Sequence, residues 1–178
     1  KLDIYAFIYI GGNDSMDTIK KLSDYAILTG QTQKFLGVPK TIDNDLALTD
    51  HTPGFGSAAK YVASTVREIV LDASVYQQRS VTIVEIMGRN AGWLVGAAAL
   101  SKGEDCDGPD LIYVPELPFD IDNFLVRIKE LLAEKTFVVV AVSTVWISLT
   151  PSATSNSQAP RTILPAVWLR RLAARREP

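Results

Sequence analysis

Apolar and polar positions alternate along the chain in blocks that name its elements. Leu2–Ile10 is almost continuously apolar and rich in Ile and Tyr, which predicts a strand buried on both faces. Gly11-Gly12 breaks that run. Met16, Ile19, Leu22 and Ala26 then recur at spacings of three to four, predicting a helix capped by Ser15 and ended by Gly30. Phe35–Val38 reads as a second short strand. Residues 39–56 show no periodicity and read as a long polar loop, a length that compact domains usually reserve for function. Beyond it the pattern predicts a helix over Ala58–Leu71 opened by Ser57, then a strand over Val81–Ile86 stopped at Gly88. A small-residue helix follows over Ala91–Leu100, then a strand over Leu111–Val114 stopped by Pro115. An amphipathic helix covers Asp120–Glu134 with Phe124, Ile128, Leu131 and Leu132 inward, and a last strand covers Phe137–Val142.

Strand–helix alternation of this kind predicts an α/β fold, a mostly parallel sheet with helices on both faces. Ligands in such sheets bind beyond the carboxyl ends of the strands. Four clusters fall at that edge of one predicted sheet: Gly11–Asp14, Pro39–Asp45, Met87–Arg89 and Pro115-Glu116. The pattern fails after residue 143. Residues 148–160 are rich in Ser, Thr, Ala and Pro, a linker-like composition. The expected organisation is a core over 1–143 and a separate tail over 144–178.

Composition narrows the function classes. A chain of 178 residues with 47% hydrophobic residues suits one folded domain and excludes general disorder. One cysteine, Cys106, excludes a disulfide framework, and one histidine, His51, excludes a histidine-rich metal site. No run of about 18 uncharged apolar residues is present, so no membrane span is expected. No secretory signal opens the chain, and the cytoplasm is the expected location. The formal charge of −2 is uneven. Five arginines against one glutamate give residues 151–178 a net +4, so residues 1–150 carry −6. The basic tail has no recognisable nucleic-acid motif, and no nucleic-acid partner is expected.

Each cluster has a chemical and a structural reading. Gly11-Gly12-Asn13-Asp14-Ser15 lies between strand and helix, where a phosphate can approach the backbone and free N–H groups; it is otherwise a tight turn. In Lys40-Thr41-Ile42-Asp43-Asn44-Asp45, one carboxylate can accept a proton while the other holds a metal, and Lys40 can stabilise a transferring phosphoryl group. The alternative is a loop whose Asp and Asn cap their own backbone. Gly54-Phe55-Gly56-Ser57-Ala58-Ala59 fits a loose dinucleotide pattern, but a loop precedes it where that motif needs a strand. Arg89 favours a phosphate or carboxylate contact or is a surface arginine. Glu116 can accept from sugar hydroxyls or cap a helix. Glu85 is a paired or a buried structural acid, and Cys106 shows no sign of activation.

Together the clusters resemble the phosphofructokinase family. GGNDS at 11–15, PKTIDND at 39–45, GFGSAAKY at 54–61, MGRNAGW at 87–93 and VPE at 114–116 occur in family order, and the resemblance covers residues 3–143. It implies a three-layer, Rossmann-like fold and transfer of a phosphoryl group to the 1-hydroxyl of fructose 6-phosphate, with Mg²⁺ as cofactor. It implies that Asp43 is the general base and Asp45 its partner in the site. Lys40 and Arg89 would neutralise transferring charge. Thr41, Met87, Gly88, Arg89 and Glu116 would contact the sugar phosphate, and Gly11, Gly12, Asn13, Asp14, Ser15 and Lys40 the donor. It also implies a cytoplasmic homo-oligomer, dimer or tetramer.

Asp14 stands where ATP-dependent members with a GGDGS pattern have glycine. Its carboxylate would crowd and repel a nucleotide α-phosphate, so pyrophosphate is the expected donor and ATP the alternative. Lys40 fits pyrophosphate enzymes but discriminates poorly. Asn13 replaces an aspartate that helps bind Mg²⁺, and a neutral amide is a weaker ligand for a hard cation; Asp14 and Asp45 then serve the metal, or the site is weakened. The family's glycine-rich donor loop and its later sugar-phosphate ligands are not found. The expectation is therefore a central piece of a longer enzyme, inactive alone. A catalytically impaired binding subunit is the second reading, and a lipid or NAD kinase, opposed by PKTIDND and MGRNAGW, the third.

Overall fold

A computed structural model describes residues 3–144 and the backbone of 167–173. The order of elements is β1 (Ala6–Gly11), α1 (Asn13–Leu28), β2 (Lys34–Pro39), α2 (Phe55–Ser74), β3 (Ser80–Ile86), α3 (Trp93–Gly96) running into a 3₁₀ turn (Ala97–Ser101), β4 (Leu111–Tyr113), α4 (Ile121–Glu134), β5 (Phe137–Ser143) and β6 (Val167–Ala173). The chain divides into two compact units, residues 1–55 and 56–178.

The single sheet read from the sequence is two sheets. β1 and β2 pair in parallel in the first unit, and β4-β5-β3-β6 form the second. In the second sheet β3, β4 and β5 are mutually parallel. β6 pairs antiparallel to β3, from Ile86 opposite Val167 to Ser80 opposite Ala173. The expected tail therefore contributes an edge strand; the linker-like composition read over 148–160 lies outside the described residues.

The strand expected over Phe137–Val142 is β5, and it is buried from Val138 to Ser143. On one face Val138, Val140 and Val142 join Val81 and Ile128 in a core, against which Phe124, Leu131 and Leu132 of α4 pack. The inward positions expected of this helix are thus the ones that meet the sheet. Tyr113, Phe119 and Phe124 add a triangle of ring contacts at 5.2–5.7 Å. Asp120 caps α4, its carboxylate accepting from the Asp122 and Asn123 backbone N–H groups at 2.9 and 3.2 Å. Asp110 ties β5 down from the side, bonding the Val139 N–H and pairing with Lys135.

β1 departs from the expectation of burial on both faces. Side chains alternate across a strand. Phe7, Tyr9 and Phe35 are in ring contact on one face of the β1–β2 pair. Gly37, paired with Tyr9, faces Met16 and Ile19 of α1. The opposite face leaves Ile8 62% and Ile10 67% exposed. One helix on a two-stranded sheet covers one face only.

Three helix starts also differ from expectation. α1 starts at Asn13 with Gly12 at the N-cap and no side-chain cap, so Ser15 lies inside the helix; Ile19 and Ala26 are buried as expected, whereas Leu22 is exposed. α2 starts at Phe55, which puts Ser57 in its first turn. The expected Ala91–Leu100 helix is a single α turn followed by a 3₁₀ turn, where Gly92 and Gly96 carry the low helix propensity of glycine. The cap on α4 is directly testable: Asp120→Ala is expected to lower unfolding stability by about 1 kcal/mol in urea titration, and Asp120→Ser by less.

Candidate active site

The first group of site residues lies in the unit formed by residues 1–55. Parallel pairing sets Gly11 at the end of β1 opposite Pro39 at the end of β2. The Lys40 N–H donates to the Gly11 carbonyl at 2.9 Å, joining the two loops that leave these strands. A Cβ on Gly11 would overlap the Ser15 side chain, so the strand can turn this tightly into α1 only as glycine. Asn13 and Asp14 are exposed in the first turn of α1. A carboxylate is favourable there because unbonded N–H groups make the helix start electropositive.

The loop after Lys40 is held by its own polar side chains. Thr41 Oγ1 accepts the Asp43 backbone N–H at 3.0 Å. Asn44 is buried and has a left-handed backbone, φ 59°. Its Oδ1 accepts from the Thr52 N–H at 2.8 Å and from the Thr52 hydroxyl at 3.3 Å, while its Nδ2 donates to the Asp50 carbonyl at 3.2 Å. Asn44 thus clamps both ends of the loop, and it stands between the two carboxylates expected to do chemistry. Asp43 Oδ1 is buried. Asp45 Oδ1 is buried and accepts no hydrogen bond among the described residues, a costly state for a carboxylate unless a cation or donor is supplied.

The second group lies in the unit formed by residues 56–178. β3 ends at Ile86, and Met87-Gly88-Arg89 turns away from it. Gly88 has φ +135°, and a Cβ there would lie 2.5 Å from the Ala91 carbonyl oxygen; only glycine makes this turn. The end of β5 braces it. The Ser143 hydroxyl donates to the Gly88 carbonyl at 2.5 Å and the Thr144 hydroxyl to the Ile86 carbonyl at 3.1 Å. Met87 and Arg89 are exposed, and none of the described ion pairs engages Arg89 or Lys40. Glu116, after β4, accepts the Gly92 N–H at 2.7 Å. It therefore bonds the backbone at the start of α3, while its exposed position leaves the carboxylate open to a ligand.

In the first unit the Lys40 N–H meets Gly11 at the head of the Gly11–Ser15 turn, and in the second Glu116 meets Gly92, which follows Met87–Arg89 in the chain. The dinucleotide reading of residues 54–59 stays excluded, because a loop and no strand leads into α2. His51 stacks edge-on against Phe55 at 5.5 Å, and Cys106 is buried. Among the described residues no group of three or more His, Cys, Asp or Glu side chains is arranged to hold a metal ion. Four positions were not singled out from the sequence: Asn44, Gly92, Ser143 and Thr144. Asn44 carried a signal, since asparagine tolerates positive φ and bonds nearby backbone. The others depend on contacts between distant strands.

Comparison with known proteins shows what the chain is similar to. The family model for phosphofructokinase matches residues 1–161, past the end of the motif series. A pyrophosphate–fructose 6-phosphate 1-phosphotransferase from Xanthomonas campestris is 48% identical over 143 residues, covering 79% of this chain and 34% of the relative. A sulfofructose kinase from Alkalicoccus urumqiensis is 41% identical over 166 residues, 92% of this chain and 43% of the relative. The crystal structure of a pyrophosphate-dependent phosphofructokinase from Nitrosospira multiformis superposes with a TM-score of 0.67 at 37% identity, covering 80% of this chain and 37% of that one. The chain thus spans 34–43% of the length of these relatives.

The clamp at Asn44 yields a sharp expectation. Asn44→Ala loses three hydrogen bonds and forces alanine into a left-handed backbone, at an expected cost of about 2–4 kcal/mol in chemical denaturation. Asn44→Gly keeps the backbone at ease and should lose about 1 kcal/mol less. Equal losses for the two would show that the backbone conformation contributes nothing.

Proposed function

The chain belongs to the phosphofructokinase family, and on that premise we propose that its protein transfers a phosphoryl group from pyrophosphate to the 1-hydroxyl of fructose 6-phosphate. The observation that carries the donor choice is Asp14. Its carboxylate is exposed in the first turn of α1, beside the Gly11 turn that Lys40 closes. An α-phosphate brought to that turn would meet a negative charge, whereas pyrophosphate has none to place there.

In this reading Asp43 accepts the proton of the sugar 1-hydroxyl as that oxygen attacks the nearer phosphorus. The bridging oxygen leaves with the second phosphate, so the products are fructose 1,6-bisphosphate and inorganic phosphate. Thr41 Oγ1 already accepts the Asp43 N–H, which leaves its own hydrogen to donate to the transferring phosphoryl group. Lys40 and Arg89 neutralise charge on the transferring group, where positioning and charge supply most of the catalysis. Met87, Gly88, Arg89 and Glu116 bind the sugar phosphate, and Gly11–Ser15 with Lys40 bind the donor.

Mg²⁺ fits the residues present. It takes one or two protein carboxylates together with phosphate oxygens, so a cluster of three acids is not required. The unpartnered Asp45 Oδ1 is a ready ligand and Asp14 an accessible one. The ion would supply charge neutralisation on the phosphates. No helix among the described residues is long and apolar enough to cross a membrane, and we read the protein as a cytoplasmic homo-oligomer, dimer or tetramer.

A second acceptor is favoured by one observation. The match to the sulfofructose kinase covers 92% of this chain, against 79% for the match to the pyrophosphate enzyme from Xanthomonas campestris. A sulfonated fructose presents the same 1-hydroxyl and an anionic group elsewhere, so the base and donor residues would serve unchanged. Steady-state assays of the full-length protein with both acceptors are expected to favour fructose 6-phosphate; preference for sulfofructose would transfer the assignment to it. Asp43→Ala should lower turnover at least roughly 10²-fold. A near-normal rate would remove Asp43 from the base role.

A further inference from the structure

Gly92 is buried at the start of α3, and its φ of −85° is one that any residue adopts. Its identity is therefore not set by its own backbone. Space sets it. A Cβ at position 92 would lie 2.6 Å from Glu116 Oε2, 2.9 Å from Val114 Cβ and 3.0 Å from Val114 Cγ1. At the same time the Gly92 N–H donates to Glu116 Oε1 at 2.7 Å. One carboxylate oxygen is thus tethered to the Gly92 backbone nitrogen, and the other lies 2.6 Å from where a Cβ would stand. A glutamate on an exposed loop otherwise samples many rotamers, and each immobilised side chain of this kind costs binding free energy.

We propose that Gly92 is a positioning residue for the acceptor sugar. Its N–H and its missing Cβ together hold the Glu116 carboxylate in one orientation before the sugar arrives, with Oε2 and the second lone pair of Oε1 available to accept hydroxyl hydrogens. The turn at Gly88, braced by Ser143, fixes where Gly92 lies. Acceptor affinity therefore depends on a residue that need not touch the sugar. The proposal rests on the reading of Glu116 as an acceptor of sugar hydroxyls.

The test is a double-mutant cycle in the full-length protein, with Gly92→Ala, Glu116→Ala and the pair, reading KM for fructose 6-phosphate, KM for pyrophosphate and kcat. Gly92→Ala is expected to raise the sugar KM roughly tenfold, with the pyrophosphate KM unchanged and kcat altered less than about threefold. The pair is expected to be no weaker than Glu116→Ala alone, because Gly92 acts through Glu116. A wild-type sugar KM in Gly92→Ala, or additive losses in the pair, overturns the proposal while leaving Glu116 a sugar ligand. An unchanged sugar KM in Glu116→Ala overturns both. Amide hydrogen exchange gives a check that does not need Gly92→Ala to fold: the Gly92 N–H should exchange at least about tenfold faster in Glu116→Ala than in the native protein. Equal rates would show that no tether exists.

Discussion

Parallel pairing of β3, β4 and β5 is the constraint on which the described part of the second unit depends. Parallel strands release the chain at the same edge, so Met87, Val114 and Thr144, which follow Ile86, Tyr113 and Ser143, leave the sheet there. Burial secures that pairing. β5 is buried from Val138 to Ser143, and each fully buried aliphatic side chain contributes roughly 1.5–3 kcal/mol. The contacts at the edge are of another kind. Ser143 to Gly88, Thr144 to Ile86 and Gly92 to Glu116 are single hydrogen bonds, each worth about 1 kcal/mol net. They orient groups on an edge that the core has already built.

The same logic operates on a smaller scale in residues 1–55. β1 and β2 end together at Gly11 and Pro39, and one backbone hydrogen bond from Lys40 joins the loops that follow. Two strands and one helix offer little core, so the Lys40–Asp45 loop depends on polar fixings. Asn44 supplies most of them, turning a left-handed residue and a buried amide into a rigid spacer between Asp43 and Asp45. Asp45 Oδ1 is left buried without a hydrogen-bond partner among the described residues.

Much of this was legible along the chain because it is written in local periodicity. The apolar spacing of Phe124, Ile128, Leu131 and Leu132 identified the α4 face, and Asp120 marked its start. The continuous apolar run over Phe137–Val142 identified β5 as a strand. The same reasoning misjudged β1, because an apolar run reports that a strand is suited to burial and not what covers it. Ser15 and Ser57 have the right chemistry for caps, but each helix begins two residues earlier, at Asn13 and Phe55. The division into two sheets, the strand at Val167–Ala173 and the bracing by Ser143 were not legible, since each depends on pairing between distant segments. The site motifs were visible as residue types, and the reading of a loop whose Asn bonds its own backbone anticipated Asn44, whereas Gly92 became visible only through its partners.

The proposed function turns on Asp14, exposed in the first turn of α1, and on Asp43, whose backbone N–H bonds the Thr41 hydroxyl. Phosphorus-31 NMR of the full-length protein with fructose 6-phosphate, Mg²⁺ and either pyrophosphate or ATP tests that account most directly. The account predicts that the pyrophosphate resonance is replaced in equal amounts by inorganic phosphate and a new phosphomonoester on C1 of the sugar, with ATP unconsumed. Consumption of ATP with pyrophosphate untouched would contradict it.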